Sequence, residues 1–110
     1  MYRPAYDMVV QGMGGIMSVT GHPGTPPTRI GMSIGDIGSG LYATIGVQAA
    51  LFHRQLTGEA TKVDIGMLDC QLALLENAVM RYQVSGTAPG PLGARHPSIT
   101  PFEAYKTKDG

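Results

Sequence analysis

A chain of 110 residues with eight Lys and Arg against eight Asp and Glu is about one small domain long and carries no net charge. Without a basic excess, neither nucleic acid nor an anionic membrane surface is an expected partner. A single cysteine, Cys70, excludes an internal disulfide and lacks the companions of a zinc site, which fits a reducing, cytoplasmic setting.

The opening "MYRPAYDM" has no apolar region behind a basic start and so does not read as a signal peptide. From Tyr6 to Val19, "YDMVVQGMGGIMSV" spaces Val9, Met13, Ile16 and Met17 as a helix does, and a helix is expected over about 6–19. Gly12, Gly14 and Gly15 weaken it by up to ~1 kcal/mol each, so tertiary contacts have to hold it, with the glycine side against another element. "TGHPGTPPTR" is a loop. The clearest helix spans about 39–57, with Leu41, Ile45, Ala49 and Phe52 in one stripe flanked by Tyr42, Gly46 and Ala50. It is apolar on nearly every side and is expected to be buried, with Gly58 as a left-handed terminator. The apolar run 37–52 within it is short and rich in Gly and Ser for a bilayer span.

"ATKVDIGM" alternates enough for a short strand at about 60–66, with Val63 and Ile65 on one face and Asp64 on the other. A third helix is expected over about 67–83, striped by Leu68, Leu72, Leu75, Val79 and Tyr82, with Gln71, Glu76 and Asn77 on the remaining surface. "SGTAPGPLGARHPSITP" is a long Gly/Pro loop. "FEAYKTKDG" reads as a second short strand, about 102–107, that stops where a partner strand should begin, so the chain is expected to be a fragment of an α/β protein. Sixteen glycines within helical-looking sequence imply close backbone packing or backbone approaching a ligand.

The candidate chemistry centres on Asp36. "GDIGSG" has the wrong order for a dinucleotide-binding glycine loop, and no Lys-Ser/Thr follows it. Asp36 has two readings. It can cap the following helix by accepting backbone N–H bonds, for ~1 kcal/mol. Alternatively, it is a lone carboxylate on a glycine-rich elbow, with room for a substrate to reach its oxygens and unpaired amides beside it. His22, His53 and His96 have no metal-ligand spacing, and no Ser/His/Asp arrangement is present. Cys70 and the methionines Met8, Met13 and Met17 read as core, and Asp64 and Asp69 as exposed charges.

Three segments, "RPAYDMVVQGMGGIMSVTG", "GDIGSGLYATIGVQAALFHRQLTGEATKVDIGMLDCQLALL" and "HPSITPFEAYKTKDG", together resemble the family III coenzyme A transferases. That family includes formyl-CoA transferase and carnitine CoA-transferase, with α-methylacyl-CoA racemase as a divergent branch. The resemblance runs through essentially the whole chain, while full members are roughly three to four times longer. It implies that residues 1–110 form an incomplete middle section of a Rossmann-like large domain, helix-rich and α/β in class, within an interlocked homodimer. It also implies a CoA-transferase that moves coenzyme A between an acyl-CoA thioester and a small carboxylic acid. CoA would be a substrate rather than a tightly bound cofactor, and the isolated piece would be inactive and prone to associate.

The resemblance makes Asp36 the nucleophile, passing through a mixed anhydride and an aspartyl-CoA thioester. Oxyanion donors are expected from the backbone near Gly38 to Gly40 or from outside this section. It assigns Arg3, Pro4, Ala5 and Tyr6 to a CoA-contacting segment. Tyr6 stands where racemases carry a histidine base, and a phenol of pKa ~10 is a poor base at neutral pH, which favours transferase over racemase or epimerase. Met67 corresponds to a residue that packs on the CoA adenine, with core filling as its plain alternative. Arg3 either meets a CoA phosphate or is a surface charge. A catalytically inactive interaction module, in which Asp36 is only a cap, is the non-enzymatic alternative.

Overall fold

The computed structural model describes residues 4–109, and Arg3 therefore lies outside the described residues. Among these residues the fold is entirely helical: α1 (Asp7–Met13), α2 (Ile16–Val19), α3 (Ile34–Thr57), α4 (Met67–Leu74) and α5 (Asn77–Ser85). Among the described residues no helix is long and apolar enough to cross a membrane. The first expected helix is broken in two by its glycines. Gly14 ends α1, and Gly15, at φ 85°, holds a left-handed backbone that a side chain disfavours. The third expected helix is also split, at Leu75 and Glu76, where Glu76 takes φ 50° without a Gly or Pro to mark the break.

The long helix α3 begins at Ile34, five residues before the start that periodicity gives at Ser39, and ends at Gly58 in the expected left-handed conformation, φ 78°. Glycine propensity alone argues against those first residues, so their helicity comes from contacts made across the fold. The contact face of α3 is its small-residue face. Gly35 and Gly38 are buried. A Cβ on Gly38 would lie 2.6 Å from Leu74 Cδ1 of α4, and one on Gly46 would lie 2.7 Å from Val63 Cγ1. The apolar stripe expected to be buried is instead open: Leu41 and Ile45 are each 61% exposed and Phe52 63%. Absent side chains, rather than large ones, let α3 and α4 approach.

The two expected strands do not form. Residues 59–66 run without a ladder because no second strand lies beside them, and an isolated strand leaves its backbone groups unpaired. The alternation in that segment is nonetheless used: Val63 and Ile65 turn toward Gly46 of α3, while Asp64 faces out to pair with Lys62 at 3.0 Å. Residues 102–107 likewise have no ladder. There the chain folds back on the preceding loop, with the His96 N–H donating to Phe102 O at 2.8 Å and the two rings stacked at 5.0 Å.

The apolar core is small. Val10, Ile16 and Cys70 are its buried hydrophobic residues among those described. The accessible surface is 8437 Å², against about 5,800 Å² for a compact protein of this mass. The radius of gyration is 18.1 Å, where a compact chain of this length has about 13 Å. Large apolar faces on α3, α4 and α5 are therefore uncovered.

The dependence on small residues is testable. Gly46→Leu should overpack the α3 contact with Val63 and destabilise the protein by about 1–3 kcal/mol in denaturant unfolding. Val63→Ala in the same background should recover part of the loss. An unchanged midpoint in Gly46→Leu would show that this approach is not close.

Candidate active site at the start of the long helix

The start of α3 meets α1 and α4 around a small polar cluster rather than an apolar one. α1 supplies Asp7 and, one turn on, Gln11; α4 supplies Gln71. Both glutamines are fully buried. Gln11 Nε2 donates to Asp7 Oδ2 at 2.9 Å and Oδ1 at 3.1 Å, and more distantly to Met32 O at 3.3 Å. Gln11 Oε1 accepts from Ile30 N–H at 2.9 Å. One side chain thus holds the Asp7 carboxylate and the loop that leads into α3. Gln71 Nε2 donates to Val10 O at 2.7 Å, tying α4 to α1. Its Oε1 has no partner among the described residues.

The decisive contact is from Asp7 Oδ1 to the backbone N–H of Gly35, 2.9 Å across a separation of 28 residues. Ser33, the residue before α3, makes no side-chain cap. The amides of the first turn are disposed of one by one. Ile34 N–H reaches Met32 O at 2.9 Å, Gly35 N–H reaches Asp7, and Ile37 N–H reaches Ser33 O at 2.9 Å. Asp36, in the same turn, has neither its carboxylate nor its own N–H bonded among the described residues, and its side chain is exposed. The cap reading of Asp36 fails because another aspartate, from α1, fills that role. Gly35 eases the approach: a Cβ there would stand 3.1 Å from Asp7 Oδ1, so the carboxylate would have to give by a few tenths of an ångström.

Asp7 is the one perturbed acid of this cluster. Partial burial pushes its carboxyl upward. The hydrogen bonds from Gln11 and Gly35, with the Arg29 guanidinium 3.6 Å away, outweigh that and hold it below the usual aspartate value.

The other expected site residues fall as follows. Pro4 and Ala5 form an exposed extended lead-in, and Tyr6, 66% exposed, stands immediately before α1 with its carbonyl accepting Val10 N–H at 2.9 Å. The Asp7–Gly35 bond therefore joins the two segments that carry Tyr6 and Asp36, each next to a bonded residue. Met67 is the first residue of α4, half-buried. The amides of Gly38 to Gly40, expected as oxyanion donors, lie inside α3 and are spent on its own ladder because the helix starts early. The free amide at this end is that of Asp36.

Asp7, Gln11 and Gln71 are functional-site neighbours that the sequence reading did not single out. Gln71 lies outside the apolar stripe of the third expected helix and is nevertheless fully buried. The available signal was the Asp7/Gln11 spacing of four in an otherwise apolar and glycine-rich stretch, which puts both on one face of a helix.

The CoA-transferase family III model matches residues 1–110, and the chain belongs to that family. Over 105 residues it is 45% identical to a succinate–glutarate CoA-transferase of Agrobacterium fabrum, covering 96% of this chain and 26% of that protein. Over 109 residues it is 42% identical to an acetyl-CoA:oxalate CoA-transferase of Acetobacter aceti, covering 98% of this chain and 28% of that protein. A crystal structure of a CAIB/BAIF family protein from Brucella suis superposes with a TM-score of 0.86 at 42% identity, covering 98% of this chain and 29% of that one. The chain thus spans about a quarter of the length of the curated relatives it matches.

The lowered Asp7 carboxyl sets a pH dependence. Its folded value lies below its unfolded value of about 3.9, so its contribution to stability is complete above that value and is lost as pH falls through the folded one. Wild type should therefore exceed Asp7→Asn in stability at neutral pH, and the gap should close on acidification below about pH 4. A gap that stays constant down to pH 2 in urea unfolding would contradict the assignment.

Proposed function

We propose that the intact protein transfers coenzyme A between an acyl-CoA thioester and a free carboxylic acid, with Asp36 as the covalent acceptor. The observation that carries this reading is the Asp36 carboxylate itself, exposed and unbonded in the first turn of α3. Carboxylates in such a turn ordinarily turn back onto helix amides.

The chemistry balances with one carboxylate. Asp36 attacks the thioester carbonyl, the C–S bond breaks, and CoA leaves as thiolate, giving a mixed anhydride. The thiolate attacks the Asp36 carbonyl carbon and expels the first acid, leaving an aspartyl-CoA thioester. The acceptor carboxylate attacks that thioester and releases thiolate again. Attack of the thiolate on the acceptor's acyl carbonyl then yields the new acyl-CoA and restores Asp36. One activated acyl bond, the donor's, then that of Asp36, then the acceptor's, is kept at every stage, so no energy source beyond the incoming thioester is required. Each addition develops an oxyanion, and the positive end of the α3 dipole with the free Asp36 N–H supports its stabilisation.

Tyr6, Pro4, Ala5 and Met67 are proposed to line the CoA path, with Arg3 at a phosphate. The phenol of Tyr6, beside Asp7, supports transfer rather than α-proton exchange. The named relatives act on succinate, glutarate and oxalate, which supports short dicarboxylic acids as donors and acceptors here. The uncovered faces of α3, α4 and α5 support assembly within a Rossmann-like large domain and a homodimer that shields Asp36 from water.

Incubation of the full-length protein with acyl-CoA should give a CoA-mass adduct on the peptide containing Asp36, and Asp36→Ala should lose both adduct and turnover. Turnover that survives Asp36→Ala, or exchange of the acyl α-proton without an acceptor acid, would sink the reading. Tyr6→Phe should lower kcat by about tenfold or more with folding intact; an unchanged rate would remove Tyr6 from the site.

A further inference from the structure

The amide that Asp36 would be expected to use is occupied by a different carboxylate. An aspartate at the third position of a helix is drawn onto the first-turn amides by hydrogen bonding and by the helix dipole. A carboxylate held that way has a lone pair engaged and its ionised form stabilised, and both reduce its reactivity as a nucleophile. In this protein Gly35 N–H is taken by Asp7 Oδ1, the Ile34 and Ile37 amides are taken by Met32 and Ser33 carbonyls, and in this turn the Asp36 N–H alone stays unbonded among the described residues.

We propose that Asp7 is a positioning residue for the transfer reaction: by satisfying Gly35 N–H from α1, it keeps the Asp36 carboxylate from collapsing onto its own helix. The inference rests on the reading of Asp36 as the nucleophile. Three features suit Asp7 to the role. Its side chain is only 12% exposed, so substrate does not reach it. Both carboxylate oxygens are bonded by Gln11, itself fully buried, which fixes the direction of the remaining lone pair toward Gly35. Gly35 has no Cβ to block the approach. Gln11 also holds Ile30 N–H, so the loop entering α3 and its cap are set by one residue.

The charged groups at this end of α3 are Asp7 on α1 and Arg29 on the entering loop, and α4 presents the uncharged Gln71 there. Asp69 of α4 lies farther along, against Gly66 in the groove that Tyr42 lines. Removal of Asp7 therefore vacates one amide and withdraws one negative charge beside the turn that carries Asp36.

The test uses the full-length enzyme with Asp7→Ala, Asp7→Ser, Asp7→Asn and Asp36→Ala. Asp7→Ala should lower kcat by about 10- to 100-fold with little change in KM, as expected for a misplaced reacting group. Asp7→Ser, which keeps a polar partner for Gln11 but is too short for Gly35, should behave as Asp7→Ala does and replaces it if the alanine variant does not fold. Asp7→Asn keeps an acceptor for Gly35 N–H and should restore most of kcat. A folded Asp7→Ala or Asp7→Ser with wild-type kcat would overturn the proposal, as would Asp7→Asn impaired as severely as Asp7→Ala. Turnover in Asp36→Ala identifies failure of the nucleophile reading instead; an inactive Asp36→Ala beside a fully active Asp7→Ala identifies failure of the positioning role alone.

Discussion

The hydrogen bond from the Asp7 carboxylate to Gly35 N–H organises everything placed near it. It fixes where α3 begins, and it joins the segment after Tyr6 to the segment before Asp36 across 28 residues. A glycine at 35 eases it, because a Cβ there would press on the Asp7 carboxylate. The buried Gln11 transmits the same constraint to the loop at Ile30 and Met32. In a protein whose described apolar core is reduced to Val10, Ile16 and Cys70, such a polar junction has more control over geometry than packing does.

The glycines serve that junction and its continuation. Gly38 receives Leu74, and Gly46 receives Val63, so the face of α3 that meets the rest of the chain is its bare backbone. The bulky face, with Leu41, Ile45 and Phe52, points away and stays open. A helix apolar on all sides can present two different interfaces, one close and built on glycine, the other broad and built on large side chains.

Much of this was legible in the sequence, and what was not has a physical reason. Periodicity located the helices and the Gly58 terminator, and glycine density signalled close backbone approach. The start of α3 was misplaced because Gly35, Gly38 and Gly40 oppose a helix locally, and only contacts with α1 and α4 overcome that. The strands at 60–66 and 102–107 followed a sound alternation but lack a partner to pair with. Asp36 stood out by its neighbours, yet its two readings could not be separated without knowing what else reaches Gly35. Asp7 and Gln71 escaped notice for the same reason: their partners are 28 and 61 residues away, beyond any local pattern.

The central claim is that Asp7, and not Asp36, holds the amide at the start of α3. It is tested most directly by a scalar coupling measured through the hydrogen bond, in protein labelled with 15N-glycine and 13C-aspartate. The account predicts a coupling between Gly35 N and the Asp7 side-chain carboxyl carbon, with none to that of Asp36. A coupling from Gly35 to the Asp36 carboxyl carbon would contradict it and return Asp36 to the role of a cap.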